Sequence, residues 1–309
     1  MNKFKVIDCD IIYLSYDEPN AERNYADLCK KVPWAERVHG VKGSDSAHKA
    51  AAKLSNTDRF ITIDGDNRIR DNFLTQSIDF DKDIDLTNKV ISWTANNTIN
   101  GLSYGNGGIK CWPKKHVLEM RTHENADPNN PHAQVDFCWD TEYVQMNGTF
   151  SDIYNNATPH QAWRAGFREG VKMALDRGLR VTPEQFYTNH WKNLHRLYIW
   201  LMVGADVENG NYAIHGAREG LYKTMCTDWD FVNVRDFDWL NTYWNESNIQ
   251  QDSQLELLEK TEELGVSLRM HLDLPISISP LDSEQSNFFK TVYQNPTRDN
   301  SKKFLDREQ

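Results

Sequence analysis

Apolar and polar residues alternate in short blocks through the first third of the chain. Val6 to Ser15 is rich in Val, Ile and Tyr and predicts a first strand. Tyr16-Asp17-Glu18-Pro19-Asn20 is a turn with helix-start chemistry, and residues 21–31 predict a helix. Trp34 to Val41 predicts a second strand. Ser44 or Asp45 can cap a helix whose apolar face is Ala47, Ala50, Ala51 and Leu54. Arg59 to Ile63 predicts a third strand. Strands alternating with helices imply a parallel sheet of Rossmann-like order. Such sheets bind ligands at the carboxyl ends of their strands.

Further on, Val90 to Ala95 predicts another strand. The run from Asn100 to Trp112 contains Gly105, Gly107 and Gly108 and reads either as a ligand-binding loop or as a glycine hairpin. Pro113 suits the start of a helix over residues 114–121. Residues 127–131 predict a loop, and Gln134 to Trp139 a short strand. After Pro159 the apolar spacing changes to 3.6. Ala162, Trp163, Phe167, Val171 and Ala174 lie on one helical face, and helix-face spacing assigns Trp163 and Trp191 to the core. Thr182-Pro183-Glu184 opens a further helix. The pattern implies an α/β region over residues 1–155 and a mainly helical region over residues 156–309.

Composition adds limits. The 309 residues are 39% hydrophobic and 26% charged, so the chain can bury a core. No apolar run approaches the ~20 residues of a membrane helix. Five scattered cysteines, with no close pair, suggest neither zinc nor redox chemistry and point to a reducing cytoplasm. The net charge of −10 argues against general affinity for nucleic acid, yet bases cluster between His160 and Trp200.

The candidate chemistry centres on Ile63-Asp64-Gly65-Asp66-Asn67. Two carboxylates at the end of an apolar strand can hold a hard divalent cation, Mn2+ or Mg2+, while a nucleotide diphosphate supplies further oxygens. Asn67 can fix the second carboxylate. His160 and His123 are candidates for a third metal ligand. Gly107 and Gly108 permit close approach of a sugar or acceptor. Asp140, with Asp136 as runner-up, is the candidate base for an acceptor hydroxyl if the transfer inverts configuration. Arg164, Arg168 and Lys172, at i, i+4 and i+8, form a stripe suited to phosphates or to solvent.

Taken in order, the strand–helix units ending in Asp64-Gly65-Asp66, then Asn106-Gly107-Gly108-Ile109, then an acidic patch, resemble GT-A-fold glycosyltransferases. Three phrases, Lys42 to His48, Ile99 to Gly108 and Gln161 to Gly170, resemble the glycosyltransferases of large tailed bacteriophages, among them enzymes that glycosylate hydroxymethylated cytosine in DNA. The resemblance covers residues 5–180. It implies a GT-A core with a mostly parallel central sheet and a helical C-terminal region. It further implies a nucleotide sugar, most simply a UDP-sugar, with its base by Tyr16 and Asp17 and its ribose and diphosphate by Asp45 and His48. The sugar, arabinosyl or hexosyl, would pass to an acceptor hydroxyl, with 5-hydroxymethylcytosine in phage DNA as a candidate. Tyr154 stands where this group carries a histidine, which leaves the third metal ligand open. A sugar-nucleotide nucleotidyltransferase and a non-catalytic binding protein of the same fold are the alternatives.

Overall fold

The computed structural model describes residues 3–81, 84–127, 129–130, 133, 137–138 and 140–294. The chain divides into two compact units. One comprises Met1–Thr98, Ser103–Ala157 and Arg177–Leu179, and the other Ile99–Leu102, Thr158–Asp176 and the chain from Arg180 onward.

The first unit is α/β. Its elements are β1 (Lys3–Lys5), β2 (Asp10–Ser15), α1 (Ala21–Lys31), β3 (Glu36–His39), α2 (Ser44–Leu54), β4 (Arg59–Asp64), β5 (Asn67–Ile69), β6 (Ser77–Asp79), β7 (Val90–Asn97), β8 (Ser103–Pro113), α3 (Lys114–Glu119) and β9 (Tyr143–Ile153). A seven-stranded sheet has the order β3-β2-β4-β8-β7-β9-β5, and β1 pairs with β6 in a separate ribbon. β2 runs parallel to both β3 and β4. Such pairing requires crossover connections, which α1 and α2 supply. Beyond this parallel trio, β4–β8 and β8–β7 are antiparallel, β7–β9 is parallel and β9–β5 antiparallel.

The period-two alternation of the strands sorts the core. Ile11, Tyr13, Ile61, Ile63, Ile109 and Cys111 pack on one face with Ala21 and Leu28 of α1. Ile12, Leu14, Phe60 and Trp112 pack on the other with Ala51 and Ala52 of α2. The chain steps from β2 to β3 on one side and then back past β2 to β4 on the other. The β2 and β4 carboxyl ends therefore flank a point where the winding reverses, the place where open α/β sheets leave a crevice.

Several local expectations are corrected. The strand expected from Val6 begins only at Asp10, as β2, after a 3-10 turn over Val6–Asp8. Neither Ser44 nor Asp45 caps α2. Gly43, at φ +89, holds the cap position, and the Ser44 N–H is taken by Glu124 Oε1 at 2.7 Å. The apolar face of α2 is rotated, so that Ala51 and Ala52 are buried and Leu54 is 37% exposed. The glycine run is neither loop nor hairpin turn, because Gly105, Gly107 and Gly108 lie within β8. A Cβ on Gly107 would stand 2.5 Å from the Ala95 backbone nitrogen, so the glycine permits tight pairing with β7. The strand expected over Gln134 to Trp139 falls largely outside the described residues.

The second unit contains α4 (Pro159–Ala174), α5 (Trp191–Met202), α6 (Gly210–Cys226), α7 (Phe237–Ser247), α8 (Gln254–Leu272) and α9 (Ser283–Phe288). The single helix expected after Thr182 is a 3-10 turn, Pro183–Thr188, followed by α5. Trp163 is buried, but Trp191 is 66% exposed, contrary to its expected place in the core. Thr158 caps α4 through Gln161 N–H, with Pro159 at the first turn. Gly166 and Gly170 of α4 lie against the carbonyls of Ala213 and Ala217, and Gly216 and Gly220 of α6 against those of Trp163 and Phe167. A side chain at any of the four would hold the backbones apart. Arg218, fully buried, donates to the carbonyls of Leu201 and Thr261 at 2.9 Å and of Ser277 at 3.2 Å, joining three segments. Burial lowers its guanidinium to about 10. Among the described residues, no helix is long and apolar enough to cross a membrane.

Candidate functional site

Asp64 is the last residue of β4, and the strand's alternation decides where it points. Phe60, Thr62 and Asp64 share the face that α2 covers. Trp112 of β8 donates from Nε1 to Thr62 Oγ1 at 2.8 Å on the same face. Lys110, opposite Thr62 in the ladder, is the diagonal neighbour of Asp64. Its Nζ reaches Asp64 Oδ2 at 3.5 Å and donates to the Gly107 carbonyl at 2.9 Å. His48 of α2 packs on Trp112 and Phe137, with centroids 5.1 and 4.6 Å away. Its Nδ1 lies 2.8 Å from the Ser44 carbonyl, the donor position, which leaves Nε2 as an acceptor. Desolvation lowers His48 to about 4, so it is neutral near pH 7.

The turn after β4 is held by buried groups. The Gly65 carbonyl accepts from Tyr13 Oη and from Asn24 Nδ2, the latter at 3.0 Å. Arg68 Nε donates to Asn24 Oδ1 at 2.8 Å, and the guanidinium lies 4.6 Å over the Tyr154 ring. The Tyr154 N–H donates to the Asp66 carbonyl at 2.7 Å. Tyr154 thus meets the acidic turn through its backbone. Asn67 Nδ2 donates to Asp66 Oδ1 at 2.7 Å, as anticipated, and Asn67 Oδ1 accepts from Ser151 Oγ at 3.0 Å. A Cβ at Gly108 would collide with the Asn67 amide. Gly108 therefore serves the acidic turn from β8, by leaving room for the amide that orients Asp66.

Glu18, from the turn after β2, completes the cluster. Its Oε2 accepts the Tyr16 N–H at 2.8 Å, and the carboxylate lies over Gly65. Burial, then Asp64 and Glu18, push the Asp66 carboxyl up to about 6. Burial, with smaller contributions from Asp17 and Asp64, raises Glu18 as well. Among the described residues, no group of three or more His, Cys, Asp or Glu side chains is arranged to hold a metal ion. Asp64 and Asp66 nonetheless offer what a hard cation takes: carboxylate oxygens only, at the end of a strand, with the second oriented by an amide.

The other expected residues are placed as follows. Tyr16 is exposed and Asp17 follows it at the β2 exit. Asp45 pairs with Lys49 at 3.0 Å and accepts from Thr122 Oγ1 at 3.2 Å. Asp140 pairs with Arg121 Nε at 3.2 Å, and Asp136 lies outside the described residues. His123 Nε2 lies 3.9 Å from Glu124. His160 belongs to the second unit, where its ring stacks on Trp163 and Trp244 with centroids 6.1 and 5.3 Å away. In that unit Arg164 and Arg168 both sit over Phe237, at 4.8 and 4.9 Å, and Lys172 pairs with Glu169 at 3.4 Å.

Sequence reading treated Glu18 as turn chemistry only and passed over Lys110, Tyr13 and Asn24. For Lys110 a signal existed: it alternates with Trp112 in a strand, so it shares that residue's face.

No known protein family matches the chain, and no curated protein matches it. Among solved structures, a glycosyltransferase involved in the glycosylation of the major capsid of PBCV-1 is similar at 13% identity, with a TM-score of 0.29, over 50% of this chain and 98% of that one.

Proposed function

We propose that the protein is a glycosyltransferase using a nucleotide-sugar donor, most simply a UDP-sugar, with Mn2+ or Mg2+ held by Asp64 and Asp66. The carrying observation is the placement of Asp64 at the end of β4, at the reversal point of the sheet, with Asp66 one residue beyond Gly65 and oriented by Asn67 Nδ2 at 2.7 Å. Paired carboxylates favour a divalent cation, and a reversal point at the carboxyl ends of strands favours a nucleotide. When bound, the cation would offset charge growing on the departing diphosphate.

The chain's own residues then divide the remaining work. Tyr16, exposed at the β2 exit, offers an aromatic face to the base, with Asp17 beside it. Asp45 and the neutral His48 would hold the ribose and diphosphate, and the tautomer of His48 leaves Nε2 to accept from a hydroxyl. In an inverting transfer Asp140 takes the proton of the acceptor hydroxyl, after giving up its pairing with Arg121. Arg164, Arg168 and Lys172 would contact the phosphates of a DNA acceptor carrying 5-hydroxymethylcytosine.

The test is a thermal-shift screen of nucleoside diphosphates and nucleotide sugars, with and without Mn2+. A ligand specific for the folded state raises the melting temperature by mass action. The expected result is a metal-dependent shift with a nucleoside diphosphate that is lost in Asp64→Asn. A shift with nucleoside triphosphates and release of pyrophosphate would indicate nucleotidyl transfer instead. Full function in Asp64→Asn would indicate a non-catalytic binding protein.

A further inference from the structure

Lys110 has a position that the donor-site reading leaves unused. Its side chain is only 14% exposed, whereas that of Asp64 is 41% exposed. The ammonium therefore approaches Asp64 from inside the sheet face, and the carboxylate's other side is open to ligands. The 3.5 Å separation is long for a charge-assisted hydrogen bond, whereas the 2.9 Å contact with the Gly107 carbonyl is well formed. The ammonium is thus anchored by β8 itself and balances Asp64 by proximity. The Glu18 carboxylate lies over Gly65, next in sequence to Asp64. Neutral His48, packed over Trp112, adds no positive charge.

Resting on the donor-site reading, we propose that Lys110 is the resident counter-ion of Asp64, that it competes with a divalent cation for this carboxylate, and that it contacts the donor diphosphate once the cation has bound. The two roles follow from one geometry. An ammonium near Asp64 weakens the carboxylate's attraction for a second cation. After that cation binds, the same ammonium faces any phosphate the cation holds, and lysine binds phosphate as a point charge. Lys110 would then tie metal binding to donor binding, disfavouring the metal alone and favouring the metal with its diphosphate.

The test compares wild type, Lys110→Gln and Lys110→Arg, each checked for folding by circular dichroism. Mn2+ affinity is measured without nucleotide by titration calorimetry and by the loss of the free-ion resonance signal. Uridine diphosphate affinity is measured at saturating Mn2+. Loss of a partly exposed pairing charge should tighten Mn2+ binding in Lys110→Gln about threefold. The same variant should bind the diphosphate about tenfold more weakly, whereas Lys110→Arg stays near wild type in both. Weaker or unchanged Mn2+ binding in Lys110→Gln, with wild type binding normally, overturns the counter-ion role and leaves the donor site standing. Absence of Mn2+ binding in all three proteins overturns the cation site itself, and Lys110's role with it.

Discussion

The carboxylate of Glu18 fills the space beside Gly65, its Oε2 2.6 Å from where a Cβ on that residue would stand. The glycine of the Asp-Gly-Asp turn thus admits a third acidic side chain from another segment. This explains both the missing side chain at position 65 and the raised carboxyls around it.

Gly65→Ala should force Glu18 off the turn and break its contact with the Tyr16 N–H. The expected cost is about 1 kcal/mol, because the displaced group is the end of a flexible side chain. In Glu18→Ala the alanine at 65 should be tolerated. Urea denaturation of the two single variants and the double variant should give a coupling of about 1 kcal/mol. Additive effects would show that the two positions do not share this space.

The Asp66 carboxyl, lifted to about 6 in the folded protein, binds its proton more tightly there than in the unfolded chain. The folded state then carries more protons than the unfolded state between about pH 4 and 6, so stability falls as pH rises through that window. Denaturation of the metal-free protein across pH 4 to 7 should show this decline. Asp66→Asn should reduce it, leaving the part due to Glu18, and raise stability near pH 7, while weakening Mn2+ binding. A flat profile in wild type would mean that Asp66 is compensated.

Gly170→Ala places a methyl group against the Ala217 carbonyl where α4 meets α6. Alanine is the better helix former by about 1 kcal/mol, so an open site would be stabilised. Here the collision is with backbone, which cannot swing aside, and overpacking of this kind costs ~1–3 kcal/mol. Chemical denaturation should therefore show net destabilisation, and Gly216→Ala should behave likewise.

Replacing Arg164, Arg168 and Lys172 together with Ala should weaken binding to duplex DNA. It should also lower the slope of log affinity against log salt by about 2–3, at roughly 0.9 for each phosphate the protein ceases to neutralise. Binding assays between about 50 and 200 mM salt measure this. An unchanged slope would assign the stripe to packing on Phe237 and to its pairing with Glu169.

Much of the geometry around the acidic turn is local and legible in the sequence. An apolar run ending in Asp64-Gly65-Asp66 states its own strand, because side chains alternate with a period set by the backbone alone. The same reasoning found α1 and α4. The glycines of β8 were harder, because a residue without a side chain suits a turn and a tight strand pairing equally. Only the positions of Ala95 and Asn67 distinguish the two.

The sequence by itself determined that β2, α1, β3, α2, β4, β7 and α4 form and where the acidic pair ends its strand, since side-chain periodicity acts between near neighbours. The tertiary structure alone decided that Glu18 joins Asp66, that Lys110 sits diagonal to Asp64 and that Glu124 takes the Ser44 N–H. Each of those meetings unites residues distant along the chain. Strand order and the antiparallel register of β4 with β8 set them, and both depend on how the whole core packs.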